Sequence, residues 1–299
     1  MTAVATTAEP SRTDVPALVA ALATVLLWAS AFVGIRSAGR AFSPGPLSLG
    51  RLVVAALALA GLGLARGERL PGRVQLRAAG PMLLVCGLLW FGVYNLALNA
   101  GERRVDAGTA AMLVNVGPVL IAILAGLLLR EGFPRTLFAG CAIAFAGVVV
   151  IALATSNRAA TTAGVLLCLA AAVAYAGGAV TQKVVLRSLT GTQTIFLCCA
   201  IGAVACLPFV VQLGRELGRA PGGSIGWLLS LGVAPTALGF STWAFALRRT
   251  DAGRLAATTY LVPPLSILLG WLWLGESPAR LAYLGGALCL AGVGFSRRR

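Results

Sequence analysis

The sequence predicts an all-α integral membrane protein with ten transmembrane helices, arranged as two inverted five-helix repeats. Three observations lead to this fold class: an apolar composition, apolar runs of membrane-spanning length, and an internal repeat. Of the 299 residues, 59% are hydrophobic and only 11% are charged. Soluble domains are typically about 45–50% apolar and about 25% charged, so this chain has too little polar surface for a water-facing globule.

The apolar residues fall into ten runs, separated by short loops with turn chemistry such as Ser43-Pro44-Gly45-Pro46. A helix needs roughly 20 predominantly apolar residues to cross a bilayer core. Runs of about that length predict spans at residues 17–36, 46–65, 79–101, 106–129, 134–154, 164–186, 192–213, 225–247, 252–274 and 279–296.

The N-terminal residues 1–15 are polar and rich in threonine and alanine, and we expect them to form a disordered tail. The apolar run Ala17–Ile35 follows directly. This run is longer than the roughly 7–15 apolar residues of a signal-peptide core, and no basic segment precedes it. We therefore interpret it as a retained first span.

The net charge of +15 would suggest a nucleic-acid partner in a soluble protein. Here the basic residues form short clusters between the apolar runs, as is typical of charges that set membrane topology. With both termini in the cytoplasm, 15 of the 24 lysines and arginines lie on the cytoplasmic side and 8 lie outside, with Arg51 inside a span. This bias predicts a multi-pass cell-membrane protein with both termini cytoplasmic and no nucleic-acid partner.

The chain repeats itself at an offset of 145 residues. Arg103–Glu131 and Arg248–Glu276 both begin with Arg-Arg-x-Asp-Ala-Gly, and both contain an apolar helix interrupted by proline, at Pro118 and Pro263. Paired interruptions of this kind are the best sequence indication of a transporter binding site.

The halves that contain these copies are residues 17–154 and 164–296, each with five predicted spans. Because five is an odd number, the second half enters the membrane upside down relative to the first. The first and sixth spans also correspond, since Trp28 aligns with Tyr175 and Arg36 with Lys183 at an offset of 147. Two inverted halves give alternating access a structural basis.

The proline breaks predict a substrate site near the middle of the membrane. A proline has no N–H, so Pro118 leaves the carbonyl of Val114 without its helical donor, and Pro263 does the same for the carbonyl of Thr259. In hydrocarbon such carbonyls need other partners or a water-lined cavity. A simple packing kink is the alternative. The polar candidates beside the breaks are Asn115, Thr258, Thr259 and Tyr260.

The third predicted span carries a polar stripe. Asn95, Asn99, Glu102 and Asp106 share one helical face, which we expect to point into the bundle because amides facing lipid are costly. Either this face lines a cavity that leads to the outer mouth, or its amides tie the helix to a neighbour. The sequence leaves both open.

Several charges inside or beside the spans are further candidates. Arg51 is the candidate functional charge, acting within the bundle unless its side chain snorkels to the interface. Lys183 is expected to be a cytoplasmic anchor. Glu131 and Glu276 are expected to cap the helices that follow them, because helix N-termini favour negative charge.

The aromatic residues Trp28, Tyr94 and Tyr175 fall within spans, where they either line a cavity or fill the core. The seven cysteines all lie in apolar runs without the spacing of a metal site, so they are predicted to be buried packing residues. There is no histidine, and the only lysine, Lys183, is followed by Val184, which excludes a P-loop. No metal and no cofactor are expected.

The chain resembles the EamA-type members of the drug/metabolite transporter superfamily over nearly all of residues 17–296. The resemblance rests on Trp28–Phe32, on Arg103–Gly108 with the Pro118 helix ending in Glu131, and on the second copy from Arg248, with Pro263 and Gly285. It implies a ten-helix inverted-repeat fold with a central cavity, and the movement of small metabolites, often outward. Arg130 departs from the pattern, because the second copy has Gly275 before its glutamate.

The sequence therefore predicts a plasma-membrane carrier that exports amino acids, their analogues or drug-like solutes by alternating access. An intramembrane enzyme would need a nucleophile–base pair or a metal cluster, and the sequence contains neither. A structural or lipid-scrambling protein is the remaining alternative. The substrate, the direction of transport, a coupling ion or proton, and the oligomeric state stay open.

Overall fold

The computed structural model describes residues 14–104, 113–155, 161–274 and 280–298, and these residues form helices joined by short turns. Helix α1, Val15–Ala38, begins two residues before its predicted start because Asp14 caps it: its Oδ1 accepts a hydrogen bond from the Ala17 N–H at 3.1 Å. Helix α2, Pro44–Ala65, follows a short turn and carries prolines in its first turn.

The rest of the first half contains three predicted spans. The third span of the chain consists of helix α3, Arg73–Cys86, a π-helical segment, Gly87–Val93, and helix α4, Tyr94–Gly101. Helices α5, Gly117–Leu128, and α6, Arg135–Thr155, complete this half.

The second half follows the same order. Its helices and irregular segments are α7 (Thr162–Val185), α8 (Gly191–Ala205), a 3₁₀ turn (Leu207–Phe209), α9 (Val210–Leu217), α10 (Gly222–Leu231), a π-helical segment (Gly232–Leu238), α11 (Gly239–Leu247), α12 (Ala252–Ala257), a 3₁₀ turn (Thr258–Leu261), α13 (Val262–Leu274) and α14 (Arg280–Ser296).

Within the described ranges, seven continuous helical segments are long and apolar enough to cross a membrane. The pair α8 and α9, bent by 58°, makes an eighth, and α5 and α14 are shorter apolar helices. Large apolar side chains cover the outside, for example Leu64 with 80% of its surface exposed. Such a surface fits lipid rather than water. The all-helical membrane fold is thus confirmed, and the count of ten spans stays a prediction.

The two π-helical segments lie at the same 145-residue offset as the broken helices: Gly87–Val93 in the first half and Gly232–Leu238 in the second. A π-helix widens the backbone by one residue per turn, and such segments occur frequently at functional sites. Neither segment was predicted from the sequence. Pro235 is the visible cause of the second, while the first contains no proline.

Helices α6 and α14 pack backbone against backbone through four glycines. A Cβ atom added to Gly292 would lie 2.6 Å from the Gly140 carbonyl oxygen, and one added to Gly285 would lie 2.6 Å from that of Gly147. Real Cβ atoms do not approach this closely, so only glycine fits. All seven cysteines are buried free thiols, which confirms their predicted packing role.

Candidate functional site

A cavity of about 350 Å³ lies at the end of the bundle where α1 and α4 end and α2 begins. Its walls combine apolar side chains with basic and polar ones. The lining residues are Phe32, Ile35, Arg36, Gly39, Arg40, Phe42, Pro44, Leu47, Asn99, Glu102 and Arg103. The cavity is therefore rich in positive charge, with Glu102 the one acidic side chain in its described wall.

Within the polar stripe of the third span, Asn99 combines the two roles that were proposed as alternatives. Asn99 lines the cavity, and its Nδ2 also donates to Ser48 Oγ of α2 at 2.9 Å. The Nδ2 of Asn95 instead donates to the Trp90 and Phe91 carbonyls of its own helix, at 3.2 and 3.0 Å. Asn95 thus bonds to carbonyls at the π-helical segment of its own span. Asp106 lies outside the described residues.

Glu102 sits immediately after α4, one residue beyond the end of the third span. Burial raises the pKa of its carboxyl to about 7, although the nearby positive charges of Arg36 and Arg51 act in the opposite direction. A carboxyl in this range changes its charge near neutral pH. The sequence pattern indicates Glu102 only as one member of the polar stripe.

A cluster of aromatic rings fills the bundle below the cavity. Trp28 lies one helical turn from the cavity residue Phe32 and stacks on Trp243 with ring centroids 5.1 Å apart. Trp90 packs against Tyr175 at 5.2 Å and Phe240 at 5.0 Å. These residues come from α1, α7, α11 and the first π-helical segment, so the cluster joins both halves.

The structure brings the three predicted aromatic candidates together. Trp28 and Tyr175, which are equivalent in the repeat, meet edge to face at 6.5 Å, and Tyr94 lies 6.0 Å from Tyr175. Trp28 is partly exposed, and its Nε1 donates to the Pro235 carbonyl at 3.2 Å. The three residues therefore belong to one cluster, which fills the core and lies next to the cavity.

Arg51 acts within the bundle, and the snorkelling alternative is wrong. Only 7% of its surface is exposed, and its Nε and Nη2 atoms both donate to Thr236 Oγ1, at 3.1 and 2.9 Å. The same hydroxyl donates to the Leu231 carbonyl at 2.7 Å. Thr236 thus replaces the N–H that Pro235 lacks and holds the buried guanidinium across two helices.

Replacing Thr236 with valine is expected to lower the free energy of unfolding by about 1–3 kcal/mol. The change leaves the Leu231 carbonyl and the Arg51 guanidinium without their partner. Thermal unfolding of the purified protein in detergent measures the effect. Thr236→Ser keeps the hydroxyl and serves as control, so an equal loss of stability in both variants would contradict this assignment.

The second broken helix satisfies its own polar groups. The Thr258 and Thr259 hydroxyls donate to the Leu255 and Ala256 carbonyls, at 2.6 and 2.7 Å. A 3₁₀ turn at the break lets the Val262 N–H donate to the Thr259 carbonyl, so the expectation that Pro263 leaves this carbonyl without a partner is wrong.

Tyr260 is fully buried in the same turn, and its hydroxyl has no hydrogen-bond partner among the described residues. Pro263 stands in the first turn of α13, directly after the 3₁₀ turn. The predicted break is therefore present. Of the three polar residues predicted beside it, Tyr260 is the one whose hydroxyl lacks a hydrogen-bond partner among the described residues.

In the first broken helix, the chain leaves the helix at Asn115 and Val116, and α5 begins at Gly117 with Pro118 in its first turn. A proline is well placed there because the first N–H groups of a helix lack helical acceptors. Asn115 is partly buried beside this break. The repeat residues Val105 to Gly108 lie outside the described part of the chain.

An ion pair joins the two halves at the opposite end of the bundle, where α1 begins and α14 ends. Lys183 Nζ lies 2.7 Å from Glu131 Oε1 and donates to the Thr250 carbonyl at 2.6 Å. Glu131 Oε2 accepts from the Gly253 N–H at 3.4 Å, in the first turn of α12. We call Lys183, Glu131, Thr250 and Gly253 the latch.

The latch corrects two expectations. Lys183 is not an anchor at the membrane surface, because its ammonium group is held between two helix ends with 19% of the side chain exposed. Glu131 does not cap the next helix, α6, but the start of α12 in the other half. Glu276 lies outside the described residues.

No group of three or more His, Cys, Asp or Glu side chains in the described ranges could hold a metal ion. The arrangement thus consists of a charged cavity at one end, an aromatic cluster in the middle and an ion-paired latch at the other end. A charged cavity of this size can bind a small polar solute.

The family model described as the EamA-like transporter family matches the chain twice, over residues 15–153 and 162–298. A probable terminal-alkyne amino-acid exporter of Streptantibioticus cattleyicolor is 37% identical over 276 residues, 92% of this chain and 91% of that protein. The uncharacterized transporter YdfC of Bacillus subtilis is 31% identical over 270 residues, 90% and 87% of the two chains.

A solved crystal structure of a protein with 23% identity also resembles the chain. Its TM-score is 0.78, and the match covers 94% of this chain and 97% of the other. At that identity the likeness shows the fold alone.

Proposed function

We propose that this chain, which belongs to the EamA-like transporter family, exports small amino acids or closely related solutes across the cell membrane by alternating access. Membership of the family makes it a membrane transporter and not an enzyme. The proposal therefore concerns its substrate, its direction and its mechanism.

The difference between the two ends of the bundle carries the proposal. The cavity is open at one end, between Arg36 and Glu102, while Lys183 and Glu131 join the two halves at the other. Helix α1 connects these ends, with Asp14 close to Arg249 near the latch and Arg36 at the cavity. One open and one closed end is the arrangement that a carrier has after it has turned toward one side of the membrane.

The glycine crossing supports the inverted repeat. Gly140 and Gly285 are equivalent at the offset of 145 residues, as are Gly147 and Gly292. In the structure the contacts are crossed: Gly140 meets Gly292, the equivalent of Gly147, and Gly147 meets Gly285, the equivalent of Gly140. Exchanged contacts of this kind are the mark of a two-fold axis.

Between these glycines, Ala144 meets Cys289, its own equivalent in the second half, as a two-fold axis requires. The Cys289 thiol donates to the Ala144 carbonyl at 3.5 Å, and the two positions are 145 residues apart. These contacts support two five-helix halves, residues 17–154 and 164–296, with ten spans in all.

Orientation follows from the distribution of basic residues. With both termini cytoplasmic, the cavity faces outward and the latch closes the cytoplasmic end. The solute then passes from the latch side through the aromatic cluster around Trp28 and leaves by the cavity. Breaking the latch and repacking the cluster opens the cytoplasmic end.

The substrate class rests on the name of one relative and on the cavity. The exporter from Streptantibioticus cattleyicolor is named for a terminal-alkyne amino acid. A cavity of about 350 Å³ with basic and apolar walls suits a small amino acid. The lipid-scrambling alternative has no comparable support, because the named relative is an exporter of a solute.

Overexpression in a bacterial host tests the proposal. Cells with the wild-type chain are expected to release more of a supplied amino acid, such as L-propargylglycine, than cells with the empty vector. Trp28→Ala is expected to reduce this excess at least tenfold, because it removes a ring that contacts four other rings of the cluster.

Trp271→Ala is the matched control for this experiment. Trp271 lies on α13 with 48% of its surface exposed, away from the aromatic cluster. The control is expected to keep near-wild-type release at an equal amount of folded protein. No excess release by the wild type, over a panel of amino acids, would overturn the proposed function.

A further inference from the structure

The cavity contains one acidic side chain with an unusual environment. Glu102 lines the cavity, and its Oε1 atom is covered and has no hydrogen-bond partner among the described residues. A buried carboxylate oxygen normally has a donor. This oxygen thus lacks a hydrogen-bond donor in the charged wall of an open cavity.

Positive charge surrounds this carboxyl on several sides. Arg36 faces it from α1 and Arg51 from α2, while Arg40 and Arg103 lie in the same cavity wall. The other titratable groups that face Glu102 are Tyr94 on its own helix and Cys168 on α7. One carboxyl among these arginines partly neutralises a field that would otherwise favour a bound anion.

We propose that the arginine-lined cavity binds the carboxylate group of the transported solute and that Glu102 competes with this carboxylate for the same positive field. The inference rests on the proposed function for its setting and adds to it the chemical group that is recognised. Three arginine side chains, Arg36, Arg40 and Arg103, line the cavity, and a guanidinium binds a carboxylate through paired N–H groups.

Protonation of Glu102 removes its competition with the solute carboxylate. Below a pH of about 7 the carboxyl is neutral, so it no longer offsets the attraction between the arginines and the solute carboxylate. Above this pH the ionised Glu102 weakens that attraction. Binding of the carboxylate and of the proton therefore favour each other, and acid on the cavity side slows release of the solute.

Equilibrium binding to the purified full-length chain tests this inference. The probe is radiolabelled L-propargylglycine, with its methyl ester as the matched compound without a carboxylate. From pH 8 to pH 6 the wild-type affinity for the amino acid is expected to rise by up to about tenfold, the limit for one group with a pKa near 7 whose ionised form opposes binding. The ester is expected to bind at least tenfold more weakly at pH 6.

The variant Glu102→Gln mimics the protonated acid without its titration. It is expected to bind the amino acid at every pH as tightly as the wild type does at pH 6. Glu68→Gln, a change of the same kind beside Thr190 at the other end of the bundle, is expected to keep the tenfold dependence. Arg103→Gln is expected to weaken binding of the acid more than binding of the ester.

The inference is overturned if Glu102→Gln retains the pH dependence, if the ester binds as tightly as the acid, or if no variant binds the probe. These results are separate from the proposed function. A wild type that exports without pH-dependent binding removes the inference alone. A wild type that binds with the expected pH dependence, but moves nothing across a membrane, removes the proposed function alone.

Discussion

Gly292→Ala is expected to be the most damaging single change in the chain. The added methyl group would lie 2.6 Å from the Gly140 carbonyl oxygen, and both atoms belong to helix backbones that cannot move apart without separating α6 from α14. Overpacking of a well-packed interior typically costs about 1–3 kcal/mol, and contacts against backbone lie at or above the upper end. We expect a fall in the melting temperature of at least about 10 °C, or loss of folded protein from the membrane.

The repeat gives this prediction an internal check. Gly147→Ala, at the equivalent position of the first half, is expected to have a similar effect because it meets Gly285 in the same way. Gly61→Ala on α2 has open space around it and is expected to leave stability unchanged or to raise it by up to about 1 kcal/mol. Equal melting temperatures for the Gly292 and Gly61 variants would contradict the close crossing.

Lys183→Met is expected to have the second largest effect, and on transport rather than on folding. The change leaves Glu131 without its counter-ion, although 12% of its side chain is exposed and water screens part of the cost. We expect the closed latch to lose about 2 kcal/mol, which shifts the balance between the two conformations by roughly 30-fold. The measurement is the accessibility of the cytoplasmic end, by labelling of a cysteine introduced at Thr250.

The paired variant separates the latch from a general loss of structure. Lys183→Met with Glu131→Gln removes both charges, so no carboxylate remains unpaired, and labelling is expected to fall between the wild type and the single variant. Arg248→Met, which removes a neighbouring exposed cation, is expected to label like the wild type. Wild-type labelling in Lys183→Met would show that this ion pair does not hold the end closed.

The large-scale features could be predicted from the sequence because they rest on hydrophobicity and on repetition. The apolar runs determine where helices form, and the offset of 145 residues relates Pro118 to Pro263 and Gly140 to Gly285. The family assignment is confirmed by the two matches over residues 15–153 and 162–298. The positions of the breaks are also confirmed, within the described residues.

The polar details could not be predicted, because they depend on which side chains meet across helices far apart in the chain. Thr236 gave no signal of its own, yet it holds Arg51 and replaces the missing N–H of Pro235. Lys183 and Glu131 lie 52 residues apart in the sequence and form an ion pair, whereas Lys183 was expected to be an anchor and Glu131 a helix cap. The offset of 145 residues relates the two segments that form the π-helices, but it does not predict their geometry.

Counterflow in liposomes tests the central claim, alternating access for an amino acid, most directly. Purified protein is reconstituted into liposomes loaded with unlabelled L-propargylglycine, and entry of the labelled compound from outside is followed. The account predicts saturable entry that the internal load accelerates, because a loaded carrier returns faster than an empty one. It also predicts that Trp28→Ala lacks this entry while Trp271→Ala retains it. Entry that is absent, or that neither saturates nor responds to the internal load, would contradict the account.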